Sequence, residues 1–492
     1  MAHLGTETQL LKRVLIANRG EIAIRIARAA TALGMESVGV YAAVDSLSLH
    51  PRFTTRAIDL TGPNAGAGDP VAAYLDGAAL VRAAQESACD CVHPGYGFLS
   101  ENAAFAELCA GAGLAFVGPP AAALTLFGNK VQARAFAKSL GIPVVPGSSG
   151  AVASPEEAAE LAGGIGYPVM LKASAGGGGR GIRRVENAGE MAEAFRRCVS
   201  EAAAAFGDGA VFLEKVVPRP RHIEVQVLAD SSGNVVHLHE RDCSVQQRNQ
   251  KVIEIAPAAG LSEALREHIL GDAIKLMRAA GYVNAGTVEF LVVPESGQYF
   301  FIECNPRLQV EHTVTEQVTG IDIVEAQFLI ASGATLASIG VGDQGAVGQP
   351  RGYAVQARVV ARGPGCLTAY REPAGPGVRV DGCGYLGYTP PPQFDPLLAK
   401  VIGSSNSTGS LGSAIDRTLA ALNEFHIAGL PTNLEELRAI LVDPALRDGN
   451  ARTTLLAEHP KTGGGWAATG SGPLSLFSAQ AGLVSTGARP AP

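Results

Sequence analysis

The stretch Phe300-Phe301-Ile302-Glu303-Cys304-Asn305-Pro306-Arg307-Leu308-Gln309-Val310-Glu311-His312 decides how this chain is read. It opens as an apolar strand and then carries Glu, Asn, Arg, Gln and Glu in quick succession. Side chains on a strand alternate between faces, so Glu303 and Asn305 share one face, with Arg307 following them. A core does not accept that much charge without partners. A divalent cation and an anionic substrate fit it, so the stretch points to a metal–nucleotide site.

Upstream, 285–293 and 299–305 read as two strands joined by Pro294-Glu295-Ser296-Gly297-Gln298, a loop of hairpin length. Pairing Val293 with Tyr299 sets Glu289 opposite Glu303. Facing carboxylates repel unless something neutralises them. Mg²⁺ takes oxygen ligands and bridges carboxylates to nucleotide phosphates, and Asn305 adds an amide oxygen. Ion pairs on a solvated face are the competing reading. Arg307 offers a planar fork for a small oxyanion, and Glu311 a general base. A plain ion pair between the two accounts for them equally well.

Further upstream, Pro168-Val169-Met170-Leu171-Lys172-Ala173-Ser174-Ala175-Gly176-Gly177-Gly178-Gly179-Arg180-Gly181 delivers a lysine on a strand and then a run of glycines. Backbone N–H groups free of Cβ atoms can fold around phosphate oxygens. The run ends in no Gly-Lys-Ser/Thr and opens no clear helix, so it is neither a Walker loop nor a dinucleotide fingerprint. A plain surface loop and a phosphate cradle weigh evenly. The segment from His93 to Asn102 (HPGYGFLSEN) follows a short strand at 91–92, where open α/β sheets bind ligands; a turn without function is its default reading.

The 492 residues are enough for about three domains, and 47% hydrophobic against 17% charged residues supports large cores. A net charge of −7 without a basic run argues against nucleic-acid partners. The eight cysteines form no C-x-x-C pair, so no structural zinc site is indicated. No apolar run is long enough to span a bilayer, and Met1 to Lys12 lacks a secretory apolar region. The expectation is a cytoplasmic protein with no membrane partner.

Residues 11–128 alternate strand and helix: 14–17, a helix ending near Gly34, 38–41, a helix around 71–88 and a strand at 91–92. This is the pattern of a parallel sheet covered by helices. After a helix from Lys130 to Leu140, strands are expected at 168–173, 210–216, 222–229, 234–240, 285–293 and 299–304, as in an α+β domain on antiparallel sheets. A third region from about 350 to 460 holds strands at 354–360, 377–380 and 397–402 and a helix at 411–424. Residues 461–492, rich in Gly, Ser, Ala and Pro, read as a flexible tail or linker.

In this order the motifs resemble the biotin carboxylase family of ATP-grasp enzymes. The resemblance covers roughly 12–460. Its pieces are Ile-Ala-Asn-Arg-Gly-Glu-Ile-Ala at 16–23, the segment from His93 to Asn102, the lysine-plus-glycine loop, PRHIEVQ at 220–226, ERDCS at 240–244 and the run from Asn305 to His312. It implies a Rossmann-like N-terminal domain (11–128), an ATP-grasp domain (129–335) with a mobile lid at about 130–210, and a C-terminal α+β domain (350–460). Lys130, Lys172, Gly178, Gly179 and His222 resemble ATP-site residues. Glu214, Lys215, Val216 and Val217 resemble the segment that meets adenine through its backbone. Glu289, Glu303 and Asn305 match Mg²⁺ or Mn²⁺ ligands. Lys251, Arg307, Gln309 and Val310 match the bicarbonate pocket, and Glu311 the base that deprotonates bicarbonate. Arg358 matches the arginine that stabilises the biotin enolate, and Tyr96 lines the biotin site.

The implied reaction is ATP-dependent carboxylation of biotin through carboxyphosphate. The chain departs from the family at Asn249, where many members carry histidine near the nucleotide, and at Gln247, which replaces a common arginine. The loop after Arg358, Val359-Val360-Ala361-Arg362-Gly363-Pro364-Gly365, reads as shortened. The wording GPGVRVD at 375–381 is closer to acyl-CoA carboxylase members. None of the five methionines precedes a lysine, so the carrier's biotin-bearing motif is not in this sequence. The expected partners are therefore a biotin carboxyl carrier protein or domain, a carboxyltransferase and, as is common in the family, a second copy of the chain. Two rival readings stand beside it: another bicarbonate-using ATP-grasp ligase, and a non-catalytic nucleotide-binding subunit. Tyr96 and Arg358 oppose the first. The presence of Lys172, Glu289, Glu303, Arg307 and Glu311 opposes the second.

Overall fold

A computed structural model describes residues 10–61, 69–174, 181–406 and 408–458. The glycine-run positions Gly178 and Gly179 and the tail 461–492 lie outside the described residues. In the N-terminal region β1 (Arg13–Ile16), β2 (Glu36–Tyr41), β3 (Arg56–Asp59), β4 (Cys91–His93) and β5 (Ala115–Phe116) form a parallel sheet in the order β3-β2-β1-β4-β5. The chain reverses its winding between β1 and β4, and ligands of open α/β sheets bind beyond the strand ends at that point. The helix Gly20–Ala32 begins there and buries Ile22, Ala23 and Ile26 against Ile323 and Phe328 of a later helix.

The expected helix at 71–88 is two helices, Pro70–Leu75 and Gly77–Glu86. Asp76, with ψ 87, breaks the first and caps the second by accepting the N–H of Ala79 at 2.9 Å. Strands β3 and β5 were not expected. Both are short, and β3 is mostly exposed, so neither shows an apolar pattern.

Strands β6 (Val169–Ala173), β7 (Ile182–Val185) and β8 (Val211–Lys215) form a separate small antiparallel sheet. The main sheet uses β9 (Arg221–Ala229), β10 (Val235–Gln247), β11 (Gln250–Ala256), β12 (Asn284–Val293), β13 (Gln298–Asn305) and β14 (Ala354–Val360). After β15 (Ala369–Arg371) it takes in β16 (Val378–Gly382) and β17 (Leu397–Ser404), while β15 pairs with β18 (His426–Ala428). Its eight strands run β13-β12-β9-β10-β11-β14-β17-β16 and are antiparallel throughout. The pairing of β11 with β14 carries this sheet without a break from the second region into the third.

Alternation along β9 explains why this sheet can hold a charged site. Ile223, Val225 and Val227 join Val288, Phe290, Val292 and the helix residues Ile269, Ala273, Leu276 and Met277 in one core. His222, Glu224 and Gln226 point to the other face and are also buried. One face of the strand thus anchors the fold and the other builds the site.

A β-bulge decides the position of Glu303. Val292 pairs with Tyr299 and Val293 with Gln298, one residue off the expected register. Phe290 pairs with Phe301 but Glu289 with Glu303, so Ile302 is the extra residue. Without the bulge Glu303 would fall on the same face as Phe301, which is in the core. The expected carboxylate pair therefore exists, by a route that strict alternation did not contain.

Candidate active site

The sheets enclose a groove of about 1370 Å³. Tyr96, Lys130, Lys172, Glu214, Lys215, Val216, Val217, His222, Asn249, Lys251, Glu289, Glu303, Asn305, Arg307, Gln309, Val310, Glu311 and Arg358 all line it. Among the described residues it therefore gathers every position that the sequence nominated.

At one end, Lys172 on β6 reaches Glu214 on β8 at 2.5 Å, and Glu214 also takes Arg134 Nη1 at 3.0 Å. The Lys215 ammonium turns away and donates to the carbonyls of Gly166 and Tyr167 at 2.7 and 3.0 Å. Lys130, at the start of the helix Lys130–Ser139, pairs with Glu303. Burial alone would lower the Lys130 pKa, but Glu303 beside it raises it, so the ammonium is firmly charged.

The centre is a chain of alternating charge. The Lys251 ammonium has three protons and places them on Glu224 (2.5 Å), Glu289 (2.8 Å) and Glu311 (2.7 Å). Glu224 also receives Arg241 at 2.5 Å. Arg241 is wholly buried and further donates to Gln226, Thr315 and Thr287. The second oxygen of Glu311 accepts Arg358 Nη2 at 2.9 Å, while Arg358 Nε donates to Glu254 at 2.5 Å. Burial pushes the Glu311 carboxyl up, yet Lys251 and Arg358 outweigh it and hold it well below the usual carboxylate range. The same balance lowers Glu289, with Lys251 and His222 as the cations, and raises Lys251 far above an ordinary lysine. The side-chain amide of Gln246 lies 2.9 Å from His222 Nδ1, and His222 Nε2 donates its proton to Glu289 at 2.7 Å.

Glu311 pairs with Lys251 and Arg358. Arg307 instead meets Glu101 at 2.5 Å and the Asn305 amide oxygen at 3.1 Å. The plain Arg307–Glu311 ion pair is thus not formed.

His222, Glu224 and Glu289 bring possible ligand atoms within 4.8 Å of one another, but His222 presents an N–H to Glu289 and so offers no lone pair there. Glu289 and Glu303 are register partners on neighbouring strands and Asn305 adds an amide oxygen, so three hard oxygen donors line the groove, held here by Lys251, Lys130 and Arg307. That set fits Mg²⁺ or Mn²⁺.

Glu101, Arg134, Glu224, Arg241 and Glu254 were not singled out from the sequence. Glu224 had a signal: PRHIEVQ places a polar side chain at every second position, the mark of a strand with one polar face. Glu254 lies on β11, a strand that was not recognised.

The family departures have structural reasons. Arg248 and Asn249 are the two residues of the β10–β11 turn, with φ of 52° and 63°. Two-residue hairpins with both φ positive favour asparagine. Asn249→Val is expected to lose about 1–2 kcal/mol from left-handed strain, and Asn249→Gly almost none, in urea unfolding curves. Gln247 bonds Glu436 at 2.6 Å and accepts Arg362 at 2.9 Å, so the loop after Arg358 is tied to the groove rim. At Gly365 a Cβ would stand 2.3 Å from the carbonyl oxygen of Gly429, so the loop closes tightly there.

Comparison with known proteins places this site in a family. Residues 10–124 match the biotin carboxylase N-terminal domain and 355–458 the biotin carboxylase C-terminal domain. Residues 129–339 match the ATP-binding domain of the carbamoyl-phosphate synthase L chain. The biotin carboxylase domain of 2-oxoglutarate carboxylase from Hydrogenobacter thermophilus is 41% identical, with a TM-score of 0.87 over 92% of this chain and 98% of that one. The chain belongs to the biotin carboxylase family.

That biotin carboxylase domain was solved as a dimer with MgADP, ADP and bicarbonate. Biotin carboxylase from Campylobacter jejuni is 40% identical, with a TM-score of 0.86 over 91% of this chain and 99% of that one. Pyruvate carboxylase 1 of Caenorhabditis elegans is 47% identical over 91% of this chain, and human mitochondrial pyruvate carboxylase 43% over 92%. This chain spans 38% of the length of each of these two relatives. Among the described residues no helix is long and apolar enough to cross a membrane.

Proposed function

We propose that the chain carboxylates N1′ of biotin on a carrier protein or domain, using ATP and bicarbonate by way of carboxyphosphate. The observation that carries this reading is the Lys251–Glu311–Arg358 arrangement. A carboxylate without solvent exposure has one oxygen on each of two cations, in a groove that Lys172, Glu214 and Tyr96 also line.

In this reading Lys130 and Lys172 hold the nucleotide phosphates, and the segment from Glu214 to Val217 meets the adenine. Glu289, Glu303 and Asn305 hold Mg²⁺ or Mn²⁺, which would supply charge neutralisation at the phosphoryl oxygens. Gly178 and Gly179 cover the phosphates, as part of a lid at about 130–210. His222 keeps Glu289 ionised and oriented. Asn249 offers its amide to the nucleotide.

Bicarbonate lies against Lys251, Arg307, Gln309 and the Val310 backbone. Glu311 takes its proton, and the resulting nucleophile attacks the γ-phosphorus, breaking its bond to the bridging oxygen so that ADP leaves and carboxyphosphate forms. Bicarbonate would share the donors that now saturate Glu311, which raises the basicity of the carboxylate as the substrate enters. Carboxyphosphate breaks down to CO₂ and phosphate, and that phosphate takes the N1′ proton of biotin. Arg358 stabilises the enolate, Tyr96 lines the biotin site, and the enolate captures CO₂.

We keep the division into 11–128, 129–335 and 350–460 as functional regions, together with homodimer assembly, a carboxyltransferase partner and cytoplasmic residence. The wording at 375–381 supports an acyl-CoA as final acceptor, whereas the relatives named above include pyruvate and 2-oxoglutarate carboxylases. Arg379 and Asp381 in that stretch pair with each other at 2.8 Å, and Arg379 also pairs with Glu316 at 2.7 Å, so their side chains are committed inside the fold.

Arg358→Met tests the biotin-side assignment. It should lower biotin carboxylation by about 10²-fold or more while bicarbonate-dependent ATP hydrolysis without biotin falls much less. Equal losses in the two assays would remove Arg358 from that role.

A further inference from the structure

The wholly buried Lys400 has no part in the mechanism above. Lys400 lies on β17 directly opposite Arg358 on β14. Cross-strand cations repel unless each is neutralised separately. Arg358 has Glu254 and Glu311. The Lys400 ammonium lies 2.9 Å from Glu21 Oε2 and 3.8 Å from Asp381 Oδ2, and it donates to the carbonyl oxygen of Val310 at 3.2 Å.

These contacts lead to both substrates of the carboxylation step. Val310 directly precedes Glu311 on the bicarbonate side. Glu21, in the first turn of the helix Gly20–Ala32, accepts the Tyr96 hydroxyl on its other oxygen, and Tyr96 lines the groove. A buried ammonium is costly, and an apolar side chain would fill the same volume more simply. The charge is explained if it fixes three separate chain segments against one another.

We propose that Lys400 is a positioning residue that sets the Val310–Glu311 backbone and the Tyr96 hydroxyl in register with Arg358, so that bicarbonate and biotin meet in one geometry. This rests on the biotin-carboxylation reading above. Its partners Glu21, Asp381 and Val310 make no hydrogen bond or ion pair with Lys172 or Glu214, so the nucleotide is held independently of it.

Lys400→Met alone leaves Glu21 buried without its cation and risks misfolding. The double variant Glu21→Gln/Lys400→Met removes both charges together, and the single variant Glu21→Gln cuts only the Tyr96 branch. Steady-state kinetics with ATP, bicarbonate and biotin varied in turn give the test. In the double variant kcat/KM for bicarbonate and for biotin should each fall by about 10²-fold with KM for ATP unchanged. In Glu21→Gln only the biotin parameters should move. Unchanged kinetics, or equal changes for all three substrates, would overturn the positioning role while the wild type still makes carboxybiotin. A wild type that makes no carboxybiotin would overturn the functional reading, and this role with it.

Discussion

Glu311→Gln is expected to lower bicarbonate-dependent ATP turnover by about 10²–10⁴-fold while the chain still binds ATP. The carboxylate is buried, and both of its oxygens accept charged donors, Lys251 at 2.7 Å and Arg358 at 2.9 Å. Glutamine keeps the size but cannot take a proton, and its amide nitrogen must face one of those two donors. That mismatch adds a stability loss of about 1–3 kcal/mol. Nucleotide-induced thermal stabilisation should persist, because Lys172 and Glu214 touch neither Glu311 nor its partners in the charge chain. Near-normal turnover in this variant would exclude Glu311 as the base.

Lys251→Met should destabilise the fold by about 3–5 kcal/mol and abolish turnover. One ammonium serves three buried carboxylates, and its removal leaves each with a single remaining cationic neighbour: Arg241 for Glu224, His222 for Glu289 and Arg358 for Glu311. Lys251→Arg should recover only part of the loss, because a planar fork cannot aim three donors as the tetrahedral ammonium does. Urea denaturation of both variants checks this. A Lys251→Met protein within about 0.5 kcal/mol of wild type would show that the cluster is solvated, not a closed charge network.

The outline of the fold was legible where burial and period agree. Strand 354–360 and helix 411–424 fall where the apolar spacing placed them. The site was legible through its clustered charges, since Glu289, Glu303, Asn305, Arg307 and Glu311 are close in sequence as well as in space. What escaped notice depends on long-range pairing. Strand β11 starts in the polar QQRNQK run, and its role as the link between two regions is set by β10 and β14, not by its own residues. The bulge at Ile302 has no signature in the alternation around it, although it re-aims Glu303. Lys400 falls on an expected strand with nothing to mark it, and Glu254 on one that was not recognised; only the fold shows that they stand beside Arg358.

The most direct test of the account is incorporation of isotope-labelled bicarbonate into biotin. The chain would be given ATP, Mg²⁺ and either free biotin or a biotinylated carrier domain. The account predicts ATP-dependent, acid-labile label on biotin, with phosphate release stimulated by biotin and both lost in Glu311→Gln. Bicarbonate-dependent ATP hydrolysis with no label on either form of biotin would contradict it.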